Sequence, residues 1–269
     1  NHKKADFKPY IQVSKDRGKT WSSITGDLEE PHVVYSILQD HEKPELLFVG
    51  TEYGVFFTIN SGQKWIQLKG GLPTIAVRDI DIQRRENDLV LGTFGRGFYV
   101  LDNYTPLREI DEKSLEENDY SLFQVKDALM FVKRTGTFSG LGSSFYKADN
   151  PEFGATFTYY IKETPKSLKE TRQEKEKELI KENQPVYYPG WEELRAEDRE
   201  EKSYLLFVIS DEQGNVVRKL KDGVKKGINR TTWDVRYANT NPVKKATDKN
   251  ESGVPVMPGT YSVEMFMSI

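Results

Sequence analysis

Carboxylates, arginines and a few histidines are the side chains here that have the chemistry of a site. Glycoside hydrolysis needs two positioned acids, and Asp16, in Ser14-Lys15-Asp16-Arg17-Gly18-Lys19-Thr20-Trp21, is the first candidate. An aspartate just ahead of a glycine also folds its carboxylate back onto the N–H groups of a tight turn, and that role accounts for Asp16. Arg78, Arg84, Arg85 and Arg96 are arginines of the first half of the chain that could hold an anion. Arg96 lies between glycines in "TFGRGF", so its backbone is confined and its guanidinium suits an anionic ligand. The competing role for Arg96 is hydrogen bonding to backbone carbonyls between neighbouring units. His2, His32 and His41 have no partner at i+4 or at short range, which leaves no zinc signature. Three scattered histidines make no Ser–His–Asp or Cys–His arrangement. "DEQGN" and "DNYT" are acidic turns without the D-x-[DN]-x-[DN]-G calcium pattern. The glycines of "GTFGRGF" precede no helix, so they form no phosphate cradle. The expectation is no catalytic residue, no metal and no cofactor within this chain.

Composition narrows the class. The chain has 269 residues, enough for one large or two ordinary domains. Hydrophobic residues make up only 36%, yet 12% are aromatic, so the cores are built largely from Tyr, Phe and Trp. Thirty-nine basic against forty-two acidic side chains leave a formal charge of −3, which disfavours nucleic acid as a partner. No apolar run approaches the roughly 20 residues that cross a bilayer, and "NHKKADFKPY" has no signal-peptide core. Cysteine is absent, which excludes thiolate metal sites and disulfides without fixing a compartment.

Two textures divide the chain. Up to about residue 107, short runs such as "VVYSILQD", "ELLFVGT", "GVFFTIN", "IAVRDIDIQ", "DLVLGTF" and "GFYVLD" are rich in β-branched and aromatic residues and separated by turn formers. No helical period is sustained, which predicts an all-β half. This half also repeats itself. Gly18 and Trp21 recur as Gly62 and Trp65, Gly26 and Leu28 as Gly70 and Leu72, and Gly50-Thr51 as Gly92-Thr93, a spacing of about 42 to 44 residues. A repeat of that length built from four short strands is one propeller blade. Within the octet, Gly18 supplies the positive φ of a tight hairpin, Ser14 and Thr20 offer hydroxyls across the turn, and Trp21 is expected to bury its indole.

That octet matches the Asp-box, S-x-D-x-G-x-T-W, at every defined position. The second copy, Thr58 to Trp65, is degenerate, with Asn60 for the aspartate and Lys64 for the threonine, and it keeps Thr58, Gly62 and Trp65. Residues 1 to about 107 thus resemble the Asp-box propellers of bacterial sialidase-like (BNR) repeat proteins, related to sortilin-type propellers. "GTFGRGFYVLDNYTPLREI" looks like the closing blade of exported members. The resemblance implies that the box builds a hairpin away from the central channel where sialidase chemistry occurs. A sialidase-type site also requires an arginine cluster and a Tyr–Glu nucleophile pair, and no arginine here has the Arg-Ile-Pro context of that family. Two blades cannot close a ring, so the chain reads as the C-terminal part of a propeller, a piece of a longer protein.

Residues 108–150 read as a connector, in which "LFQVKDALMFVK" is a candidate strand packing beside the propeller. "FSGLGSSFYKADNPEFG" reads as a loop. From 151 to 269, the hairpin Asp211 to Arg218, the Trp233-Asp234 strand and Pro258-Gly259-Thr260-Tyr261 resemble the immunoglobulin-like sandwich of flagellar hook-capping proteins (FlgD-like). A charged insertion at about 164–201 interrupts it, with an exposed helix over Leu168 to Lys181 rich in close acid–base pairs. The fold class expected is all-β, Asp-box blades followed by an Ig-like sandwich carrying this helical insertion. Two functions from different classes follow. One is a non-catalytic binding or scaffolding portion of a larger exported bacterial propeller protein, extracellular, periplasmic or on the cell surface. Its partners would be the remainder of its own propeller and a glycan or protein ligand. The other is part of a sialidase-like glycan hydrolase whose catalytic groups lie mainly in other blades.

Overall fold

A computed structural model describes residues 4–132, 148–240 and 253–268. His2 and most of the glycine- and serine-rich loop lie outside the described residues. The chain is mostly antiparallel strand with few helices, and it divides into two compact units, Asn1–Ser114 and Leu115–Ile269.

In the first unit, a two-stranded ribbon, β1 (Gln12–Val13) and β2 (Ser22–Ser23), is followed by a four-stranded sheet. That sheet runs in the order β3 (Val34–Gln39), β4 (Leu47–Thr51), β5 (Gly54–Thr58), β6 (Ile66–Gln67). Every residue of β4 and β5 is buried, which is why their sequences are continuous Val, Phe and Leu runs rather than alternating ones. A three-stranded sheet follows, β7 (Val77–Gln83), β8 (Asp88–Thr93) and β9 (Phe98–Leu101). Its first strand does alternate, burying Val77, Ile80 and Ile82 against exposed Asp79 and Asp81. A Cβ on Gly50 would lie 2.5 Å from the Val77 carbonyl oxygen, so glycine there is what lets β7 approach β4.

The unit ends after a short helix, α1 (Pro106–Glu109), and a second, α2 (Glu112–Glu117), spans the boundary between the units. Asp40, which follows β3 and is buried, ties α1 down. It accepts from the Tyr104 hydroxyl at 2.5 Å and from two nitrogens of Arg108 at 2.8 and 3.0 Å. It also caps the turn after β3, accepting from the amides of Glu42 and Lys43.

The second unit pairs two three-stranded sheets. One has the order β10 (Tyr120–Leu122), β11 (Ala155–Ile161), β14 (Gly227–Trp233), and the other β13 (Val216–Gly223), β12 (Tyr204–Ser210), β15 (Ser262–Ser268). Their facing residues form one core around Phe157, Tyr159, Phe207, Ile209 and Trp233, with the Phe157 and Phe207 rings stacked at 5.8 Å. The hairpin from β12 to β13 turns at Gly214 (φ 81°), where Asp211 accepts from the amides of Gln213 and Asn215. Between β11 and β12 the chain makes α3 (Leu168–Lys181) and α4 (Trp191–Arg199), which bury no residue. α3 opens with a capping box, Ser167 and Glu170 each bonding the other's backbone.

The candidate strand at 122–133 is corrected. Only Tyr120–Leu122 is strand, and it pairs with β11; beyond it, Val125 and Ala128 pack on the second unit's core without pairing. The apolar spacing there serves packing against a sheet rather than membership of one.

Candidate functional site

The two octets fold alike. Arg17 and Ser61 share φ 59°, and Gly18 and Gly62 have φ 86° and 87°. Asp16 accepts from the Thr20 amide at 2.8 Å, the Thr20 hydroxyl at 2.7 Å and the Ser14 hydroxyl at 2.9 Å. Those bonds, the two from Thr20 foremost, hold its carboxyl down to about 2. In the second copy the Asn60 amide oxygen takes over, accepting from the Thr58 hydroxyl at 2.8 Å and the amides of Gln63 and Lys64 at 3.1 and 3.0 Å. Asp16→Asn should therefore be nearly harmless, lowering the urea midpoint at pH 7 only slightly, because the amide keeps the acceptor oxygen and loses the charge. The carboxylate's contribution is fully present above its unfolded value of about 3.9 and is lost as pH falls through about 2. The variant should lack that decline. A clear loss of stability at pH 7 would show that the carboxylate does more than build the turn.

The tryptophans part company. Trp65 is buried (7% exposed), its indole N–H donating to the Ile24 carbonyl at 3.1 Å and its amide to Asp27 at 2.7 Å. Trp21, expected to be buried in the equivalent place, is 61% exposed. The reason lies in what docks on each octet. The second copy packs against residues 24–28 of the first so closely that a Cβ on Gly62 would meet Ile24 at 2.5 Å, and one on Gly26 would meet Gly62 at 2.3 Å. A Cβ on Gly18 would meet only the Trp21 ring, at 3.8 Å. Among the described residues nothing stands to Trp21 as Ile24 to Leu28 stand to Trp65.

A different cluster, at one end of the two larger sheets, has the geometry of a site. The β3–β4 register shifts between Val34 and Ser36, leaving Tyr35 as the extra residue, and the β7–β8 register shifts between Val77 and Asp79, leaving Arg78. Each repeat thus carries a bulge at the same position, and bulges re-aim side chains. The next elements repeat as well: the Glu52 amide donates to the Val33 carbonyl at 3.1 Å, as Phe94 does to Ala76 at 2.9 Å. So Tyr35 pairs with Glu52, to which its hydroxyl donates, and Arg78 pairs with Phe94, its guanidinium 5.3 Å from the ring centre. The two pairs join where Arg78 stacks over the Tyr35 ring at 3.8 Å. Phe94 is 69% exposed. The His32 ring packs edge-on to Phe56 and Tyr53, and burial lowers its basicity.

Arg96 lies in the turn just after Phe94, between Gly95 (φ 83°) and Gly97 (φ 70°), and is exposed. The carbonyl-bonding role weighed for it is not seen among the described residues, and a Cβ on either flanking glycine would meet nothing within 4 Å. Arg84 and Arg85 are exposed in the β7–β8 turn, at the far end of β7 from Arg78. Among the described residues no group of three or more His, Cys, Asp or Glu side chains is placed to hold a metal ion, and no helix is long and apolar enough to cross a membrane.

The arrangement offers an exposed ring, guanidinium edges and a carboxylate, which together suit stacking and hydrogen bonding to a polyhydroxylated ligand. Sequence reading reached Arg78 and Arg96 as arginines but missed Tyr35, Glu52 and Phe94. Their signal was the repeat itself: "VVYSI" aligned on "AVRDI" and "GTEYG" on "GTFGRG" superimpose Tyr35 on Arg78 and Glu52 on Phe94. Compared with protein-family models and with curated proteins, the chain matches none.

Proposed function

We propose that this chain is a non-catalytic binding and scaffolding portion of a larger exported bacterial protein. Residues 1 to about 107 form Asp-box propeller blades, and the second unit is an Ig-like sandwich. The observation that carries this is the contrast between the octets. One is docked on the preceding repeat through Gly62 and Trp65, while the other presents the same glycine and tryptophan bare. A surface that recurs, covered once and open once, suits a further repeat of the same kind. The ligand-contact face is the end bearing Tyr35, Glu52, Arg78, Phe94 and Arg96, and its ligand class is a glycan.

One observation favours a second reading, a glycan hydrolase. The Tyr35 hydroxyl donates to Glu52, and a tyrosine activated by an adjacent base is a nucleophile in such chemistry. The test uses the protein of the full reading frame on a panel of glycans, scoring capture and sugar release separately. Capture without release is expected, weakened by Arg78→Ala and Phe94→Ala. Release that falls by about 10²-fold or more in Glu52→Gln, at unchanged folded fraction, would overturn the non-catalytic reading.

A further inference from the structure

The sandwich of the second unit is not filled at one end. Where β11 and β15 begin and β12 and β14 end, a cavity of about 360 Å³ lies between the two sheets. Packed interiors rarely keep a void larger than a water molecule, because the atoms that line it forgo contacts. The walls here are core residues: Phe157, Ile209, Trp233 and Val256 line the cavity and are buried. On the open side stand Met130 and, each 74% exposed, Leu129 and Met257. An apolar interior thus opens through an apolar rim, two of whose side chains are flexible thioethers that adapt to what they touch.

The lining chooses no charge. Its ionisable members, Lys126 and Asp127, are adjoining, opposite in sign and exposed. The polar groups of its two polar rings are already used. The Trp233 indole N–H donates to the Arg236 carbonyl at 2.9 Å, and the Tyr261 hydroxyl donates to the Met257 carbonyl at 2.6 Å. Water among the buried walls would therefore find few partners, and apolar cavities of that kind stay dry and admit apolar guests. A cavity of about 150 Å³ holds one benzene ring, so this one has room for roughly two fused rings. Its size and lining are those of a small-molecule pocket.

We propose that the second unit binds a small, neutral, apolar molecule of about two rings in this cavity, held among Phe157, Ile209, Trp233 and Val256 behind the rim of Leu129, Met130 and Met257. The site lies wholly within the second unit and is independent of the glycan reading of the first.

The test titrates the whole chain with naphthalene, followed by calorimetry and by the melting temperature. Saturable binding of one molecule per chain is expected, with a melting temperature that rises as naphthalene is added. Val256→Phe places a ring in the cavity and should bind about tenfold more weakly or worse. It should melt no lower than wild type, because the added atoms enter space rather than a packed neighbour. Leu129→Gln, at the exposed rim, should weaken binding by a smaller factor at an unchanged melting temperature. Trp191→Ala removes an exposed ring of the helical insertion and should change nothing. Naphthoate and naphthylmethylammonium should both bind more weakly than naphthalene, since either would bring a charge to an apolar site. Absence of saturable binding, or binding that Val256→Phe leaves intact, would overturn the proposal. So would a Val256→Phe variant that melts well below wild type, binding lost in Trp191→Ala, or tighter binding of either charged analogue.

Discussion

Trp65→Ala is expected to destabilise the first unit by about 3 to 5 kcal/mol, the range for removing a large aromatic from a packed site. Trp21→Ala in the same chain should cost far less, within the small effects of exposed positions. The indole of Trp65 fills a cluster with Ile11, Leu28, Leu47, Val49 and Phe56 and carries a hydrogen bond to Ile24. Deleting it leaves a cavity between two strand systems and an unpaired carbonyl. Trp21 has no such cluster around it, so the water it excludes is little. Urea unfolding of the two variants reads the contrast directly. Equal losses would mean that Trp21 is covered in solution, and a loss below about 1 kcal/mol at Trp65 would remove the packing between the repeats.

Breaking the Asp40 network should be comparably severe. Asp40 and the guanidinium of Arg108 are almost wholly buried, with side chains 0% and 12% exposed. Asp40→Ala strands the Tyr104 hydroxyl and two amides at once and leaves the Arg108 guanidinium with half-exposed Glu42 and the Asn87 amide oxygen as partners. Loss of one member of a buried pair costs about 3 to 5 kcal/mol, and the remaining pair with exposed Glu42 places Asp40→Ala toward the lower end of that range. Burial alone would push the Asp40 carboxyl up. The bonds from Arg108, Tyr104 and the Lys43 and Glu42 amides outweigh it and hold the carboxyl down to about 2. Its stabilisation is therefore complete above the unfolded value of about 3.9 and disappears as pH falls through about 2. Wild type should lose stability across that window, and Asp40→Ala, already destabilised at pH 7, should lose less of what remains. Denaturant midpoints measured from pH 7 down to pH 2 decide it. A variant as stable as wild type at pH 7 would show that α1 is held by its apolar contacts alone.

Local chemistry was legible because it acts within a few residues. Asp16 and Gly18 specify their turn, Asn60 and Gly62 repeat it, and the helix over Leu168 to Lys181 begins where Ser167 and Glu170 cap it. The alternation of β7 and the turn at Gly214 were likewise written in spacing and backbone permissiveness. Burial was not, and the two tryptophans show why. Related octets make matching turns, but whether an indole is covered depends on what another part of the fold lays over it. The same holds for the candidate site. Tyr35 and Arg78 meet because each is the unpaired residue of a bulge, and no residue in "VVYSI" or "AVRDI" announces a register shift. Register is the outcome of whole sheets competing to bury their apolar faces, so only the assembled sheets decide which side chain a strand expels. The sequence by itself determined the turns, the caps and the repeat. The tertiary structure alone decided which copy of the repeat is covered, and that Tyr35, Glu52, Arg78 and Phe94 stand together.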